Sequence, residues 1–240
     1  MLRARDYAEA DRIVTLLTRD FGKLSGIAKG AKASRRRFER KLEPFTQAIV
    51  YFRRRPQGQL VFITRAEAGH SSPELADDLG KIALGSYMLE LADALTTEEA
   101  EAAAAYDVLA GALQTLGWQA ANNALRQSFE LRMLSATGFG LDFRHCRICG
   151  TVPESEGAAI YFVAARGGIV CGQCRARVPE SALRLASGNA ATLARLASAS
   201  FSEAATLSHS ESDGALAIAR FLATILDRKL RSVEFLDSIL

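Results

Sequence analysis

Apolar and polar positions alternate with a period of two through residues 2–64, and a spacing of about 3.6 takes over from residue 72. Residues 11–18 (DRIVTLLT) are β-branched and aliphatic and predict a strand, followed by a turn at 19–22. Residues 23–29 predict a second strand, with Leu24, Gly26 and Ala28 on one face and Lys23, Ser25, Ile27 and Lys29 on the other. Small inward residues suit a tightly curved sheet, in which a glycine permits close approach of a neighbouring strand. Residues 45–52 (FTQAIVYF) and 60–64 (LVFIT) read as two more strands, joined by 53–59 (RRRPQGQ), a turn with Pro and Gly. Residues 2–5 offer a fifth. Short strands joined by tight turns predict a small closed β-barrel of the oligonucleotide-binding (OB) type, with Phe45, Tyr51, Phe52 and Phe62 in its core.

Helices follow. Ser72-Pro73-Glu74 carries a capping hydroxyl and a proline at the first helical position, predicting a helix to Leu95. Its apolar residues fall on two stripes, Leu75, Leu79, Ile82, Ser86, Leu89 and Leu84, Met88, Leu91, Leu95, so it is expected to be covered on more than one side. Further helices are predicted over 98–116, 121–137, 189–198 and 213–231, with 198–212 as a polar loop. The fold class is therefore α+β: an N-terminal barrel (1–70), a helical domain in two parts (71–144 and 181–240), and between them a cysteine module (145–180).

Charge sharpens this picture. The net charge is only +3, but residues 1–72 hold sixteen Lys and Arg against seven Asp and Glu, a net of +9, and the remainder is −6. Most of the excess lies in residues 23–41 (KLSGIAKGAKASRRRFERK), with Lys23, Lys29, Lys32, Arg35, Arg36, Arg37, Arg40 and Lys41 set against Glu39 alone. Such a run cannot be buried without paired anions, so it is expected as an exposed loop. With Arg53, Arg54 and Arg55 on the next hairpin it forms a candidate groove for a polyanion, most directly nucleic-acid phosphate. Phe38, in the middle of the run, is the candidate stacking aromatic or else the loop's anchor. A solvated loop without a ligand is the plain alternative.

Two Cys-x-x-Cys pairs, Cys146/Cys149 and Cys171/Cys174, use all four cysteines of the chain. This spacing points to one Zn2+, and four thiolates leave no open position, so the site is structural rather than catalytic. Metal binding would contribute on the order of 10 kcal/mol of local folding energy. A hairpin from 159–165 and 168–170 would return the second pair to the first. Two disulfides or free thiols are the competing readings, and His145 is a neighbour rather than a ligand. No stretch is long and apolar enough to span a membrane and the N-terminus lacks a signal-peptide core, so a cytoplasmic protein is expected. Phosphate-loop, nucleophile-elbow and zinc-deaminase patterns are missing, which favours a binding protein over an enzyme.

The segment LRARDYAEADRIVTLLTRDFGKLSGIAKGA, the following SRRRF and LEPF, and the later FELRMLSATGFGLDFRHCRICG with the second cysteine pair resemble the bacterial RecO family. The resemblance covers nearly the whole chain. It implies an OB domain, a helical domain and a zinc module. It also implies a recombination mediator that binds single- and double-stranded DNA, anneals complementary strands and works with RecR, and in some bacteria RecF, to help RecA displace single-stranded DNA-binding protein (SSB). The location implied is the nucleoid. Members of that family carry several residues ahead of the segment matching Leu2-Arg3, so a shortened first strand is expected, which leaves closure of the barrel open. An RNA-binding OB protein with a structural zinc, and a scaffold whose basic loop has no nucleic-acid ligand, are the rival readings from the residues alone.

Overall fold

The computed structural model describes residues 1–38, 41–54, 60–69, 75–76, 78–98, 100–153, 159–186, 188–207 and 212–240. The strands of the N-terminal part are β1 (Arg3–Tyr7), β2 (Asp11–Thr18), β3 (Gly22–Ala28), β4 (Ala48–Arg53) and β5 (Val61–Ala68). They form one five-stranded sheet in the order β1-β2-β3-β5-β4, antiparallel except for β3 against β5. β1 and β4 thus stand at the two edges, and no ladder joins them among the described residues, so the expected closed barrel is corrected to an open sheet.

The inward residues Val14, Leu16, Ala28, Val61, Ile63 and Ala66 form the sheet's core. Gly26 is where the parallel pair comes closest: it faces Val61, and a Cβ there would lie 2.9 Å from both the Val61 and Ile63 side chains. The small residue that the sequence placed on this face is therefore required by packing.

Between β3 and β4 lies one turn of helix, α1 (Arg35–Phe38). Helix α2 (Leu79–Leu95) is capped by Asp78, whose carboxylate accepts the Lys81 N–H at 2.8 Å. The chain continues through α3 (Ala103–Trp118) and α4 (Asn123–Ala136). The cysteine module contains β6 (Ile160–Val163), β7 (Gly168–Cys171) and β8 (Leu183–Leu185), an antiparallel sheet in the order β7-β6-β8. The expected hairpin is β6–β7, and β8 adds a third strand on the other side of β6.

Four helices finish the chain: α5 (Asn189–Ser198), α6 (Phe201–Ala204), α7 (Ser212–Ile225) and α8 (Ser232–Asp237). α6 interrupts the predicted loop 198–212, and its start is a capping box between Ser200 and Glu203.

Compactness groups the chain into two units. The first is Met1–Trp118 with Ser232–Ile239, and the second is Gln119–Arg231 with Leu240. In the first, the sheet keeps company with α2 and α3, and α8 returns to α2: the Ser232 N–H and hydroxyl both donate to Glu90, at 2.8 and 2.7 Å. In the second, α4 packs on α5, α6 and α7 around Leu125, Phe129, Leu193, Leu196 and Ile218. The sequence segment 71–144 is thus divided at Trp118. No helix among the described residues is long and apolar enough to cross a membrane.

Candidate functional site

The cationic segment is tied to the sheet at both ends. Gly30, with a positive φ of 66°, turns the chain out of β3, and its N–H donates to Asp11 at 2.8 Å. The Lys32 N–H donates to the Ala10 carbonyl at 3.0 Å. At the other end Phe38 and Leu42, each 2% exposed, enter the core beside Val14, Ala28 and Ile63. Burying these two side chains contributes about 1.5–3 kcal/mol each. Phe38 is therefore the anchor of the segment; as a stacking surface it is corrected, because its ring is not available to a base.

The cations differ in what they touch. Lys29 is exposed, and the Arg37 guanidinium donates to the Ser34 hydroxyl (3.0 Å) and the Lys29 carbonyl (3.1 Å) and lies 5.0 Å from the Phe38 ring centroid. Neutral acceptors and a ring orient Arg37 without neutralising it. Lys32 pairs with Asp6 at 3.1 Å, and Asp6 also accepts from Arg12, which reaches Glu43 at 2.7 Å. The Lys32 and Arg12 bonds hold the Asp6 carboxyl below the usual carboxylate range.

Lys23 is a correction. Its side chain is 14% exposed, donates to the Asp93 carbonyl at 2.7 Å and pairs with the Asp93 carboxylate at 3.3 Å, so α2 has taken it out of any groove. Ser25, on the same face, donates to Glu98 at 2.6 Å. Lys41 is half-buried, while Arg53 and Arg54, at the end of β4, are exposed. Arg35 and Arg36 belong to α1 by their backbone; Arg40 and Arg55 fall outside the described residues.

β4 supplies residues that the sequence reading missed. It alternates strictly, Ala48, Val50 and Phe52 inward and Ile49, Tyr51 and Arg53 outward. Tyr51, expected in the core, is 38% exposed. The Arg65 guanidinium covers its ring at 3.8 Å, and its hydroxyl donates to Glu67 at 3.2 Å. Arg65 also pairs with Glu67 at 3.2 Å, so this face presents an exposed aromatic beside the exposed Arg53 and an ion pair. The signal was present: period two, counted from Val50 and Phe52, sends Tyr51 out.

The four Sγ atoms of Cys146, Cys149, Cys171 and Cys174 lie within 4.8 Å of one another, and none is in a disulfide. Cys149 and Cys171 are 3.9 Å apart, close to the roughly 3.8 Å edge of a tetrahedron with zinc–sulfur bonds of about 2.3 Å. Gly150 turns the first pair with a φ of 73°, and the Cys171 N–H donates to Cys146 Sγ at 3.4 Å. The Thr151 hydroxyl, 3.0 Å away, holds the Cys149 pKa down to about 6, whereas burial pushes the Cys174 thiol up to about 12. The donor set fits a four-coordinate structural metal. His145 faces the Asp142 carboxylate at 3.2 Å and is outside the cluster.

Two sequence-family models match the chain: Recombination protein O N terminal over residues 1–71, and Recombination protein O C terminal over residues 76–235. Similar curated proteins include the DNA repair protein RecO of Anaeromyxobacter dehalogenans, 37% identical over 242 residues, covering 100% of this chain and 94% of the relative. The DNA repair protein RecO of Nocardioides sp. is 34% identical over 251 residues, covering 99% and 96%. That of Symbiobacterium thermophilum is 31% identical over 245 residues, covering 100% and 95%.

Proposed function

Because the chain belongs to the RecO family, we propose that it is a DNA-binding mediator of recombinational repair. In this reading it binds single- and double-stranded DNA, anneals complementary strands, and with RecR and RecF helps RecA onto strands coated by SSB. It makes and breaks no covalent bond. The observation that carries the reading is how the cation-rich segment is held: Phe38 and Leu42 fix it to the sheet, and Arg37 is oriented by neutral groups. Lys29, Lys32, Arg35, Arg36, Arg37, Arg40 and Lys41 would neutralise phosphates, joined by Arg53, Arg54 and Arg55. Tyr51 replaces Phe38 as the base-stacking residue. The open five-stranded sheet supports an OB-like domain, a fold known in partly open form.

Annealing follows from the same electrostatics. Two strands repel through their phosphates, and a cationic surface that screens one of them lets the other approach. The cysteine module would hold one Zn2+ through Cys146, Cys149, Cys171 and Cys174. The metal would order that module and take no part in chemistry.

The test is the variant with Arg35, Arg36 and Arg37 replaced by alanine. Its affinity for single-stranded DNA is expected to fall, and the slope of log affinity against log salt to lessen by about 0.7 for each phosphate that is no longer neutralised. An unchanged slope and affinity would remove the segment from the site. Equal-length RNA as competitor separates a DNA-specific from a general single-strand binder.

A further inference from the structure

The chain beyond residue 72 is acidic as a whole, yet residues 159–186 hold four arginines, Arg166, Arg175, Arg177 and Arg184, against the single carboxylate Glu180. Arg166 alone is paired with that carboxylate, at 2.9 Å. Arg175 donates to the Val178 carbonyl, and its guanidinium lies 5.9 Å from the centroid of the Tyr161 ring. Tyr161 sits on β6 directly opposite Arg184 on β8, so the two side chains leave the same face of the sheet. Arg177, in the turn with Arg175, and Arg184 are exposed, and neither has an ionic partner among the described residues.

This is the construction of Arg37 over again. A guanidinium steadied by a carbonyl and a ring keeps its full charge, and its orientation is set before any anion arrives. Carboxylate pairs would have cancelled the field; among the described residues of this module the direct arginine–carboxylate pair is Arg166 with Glu180, which also feels the charge of Arg175.

We propose that Arg175, Arg177 and Arg184, around Tyr161, form a second phosphate-binding surface for a nucleic-acid strand, carried by the cysteine module and separate from residues 29–41. The inference rests on the nucleic-acid reading above and extends it. One surface lies in the first compact unit and the other in the second, and each would take a strand of its own. Holding both converts their encounter into an intramolecular event, which is what pairing of complementary strands requires. A competing role for these arginines is to balance the charge of a zinc ion held by four thiolates, which is a local dianion.

The experiment is a bridging assay with the full, metal-containing chain. A biotinylated oligothymidylate is fixed to beads, protein is added, and a second, fluorescent oligothymidylate that cannot pair with the first is offered. The unchanged protein is expected to bring the second strand to the beads. The double variant Arg177→Glu, Arg184→Glu is expected to retain the first strand through residues 29–41 but to capture the second about tenfold less, with zinc content and melting temperature unchanged. Undiminished capture by the variant overturns the second surface alone. A fall in capture that appears only together with loss of zinc overturns it in favour of charge balance. Failure of the unchanged protein to retain even the first strand overturns the nucleic-acid reading and this surface with it.

Discussion

Replacing Lys23 by methionine separates a structural cation from a DNA-binding one. The Lys23 and Asp93 side chains are 14% and 9% exposed and their charged atoms are 3.3 Å apart. Removing one partner of a buried pair costs about 3–5 kcal/mol, because the other charge stays behind in a poor solvent. Here Asp93 keeps Arg3 at 3.5 Å, a side chain 63% exposed, and the methionine fills the volume of the lysine stem. The expected loss is therefore about 2–3 kcal/mol. At about 1.36 kcal/mol per factor of ten, amide hydrogens whose exchange requires opening of β3 and α2 should exchange roughly 30- to 160-fold faster. Hydrogen-exchange mass spectrometry of peptides from Gly22–Ala28 and Leu79–Leu95 reads this directly. The salt dependence of DNA binding, measured on the same protein below its unfolding transition, should be unaltered. A slope reduced by about 0.7 with exchange unchanged would show Lys23 on phosphate instead, and the pairing argument would be wrong.

The remaining predictions concern Asp6 and the metal. Asp6→Asn frees Lys32 from its carboxylate, so affinity for single-stranded DNA at low salt should rise about two- to fivefold and the salt slope should steepen, as fluorescence anisotropy would show. Since Asp6 is held below the ordinary carboxylate range, the stability it contributes is present above that range and lost as acid titrates it through the lowered value. The Lys32 pair should accordingly be insensitive to pH near neutrality, which a flat binding curve would verify. Chelation of the metal should release one zinc ion per chain, read with a colorimetric indicator, and collapse exchange protection in β6 and β7 while β2 and β3 stay protected. Retention of protection in β6 and β7 would mean that the module folds without its ion.

Much of the sheet was legible because its strands are short and follow a clear period. β2 has the predicted bounds, since eight consecutive β-branched, aliphatic and flanking polar residues leave no other choice. β5 runs to Ala68 where the sequence suggested an end at Thr64, because the outward Arg65 and Glu67 and the small inward Ala66 hide the alternation. A bulge between Tyr51 and Phe52 adds to this, as it sets Arg65 against Tyr51 with Thr64 left over.

The gathering of the four cysteines was legible, because each Cys-x-x-Cys spacing is a local property. The cationic site was read only in outline: the run of Lys and Arg announces itself, but which members are neutralised depends on carboxylates far along the chain. Asp93 lies 70 residues from Lys23, and no periodicity connects them. The predicted helix start at Ser72-Pro73 falls in residues 70–74, outside those described; the cap that is seen is Asp78. The helix predicted to reach Arg231 stops at Ile225, and α8 follows as a separate element of the first unit.

That return of Ser232–Ile239 to the first unit has a consequence for synthesis. A ribosome delivers the sheet and α2 well before α8, so Glu90 waits for Ser232 while 141 intervening residues are translated. Residues 119–231 of the second unit, cysteine module included, are all synthesised before the first unit can close, although they begin later in the chain. The cysteine module can therefore gather its four thiols before α8 reaches α2 and completes the unit that bears residues 29–41.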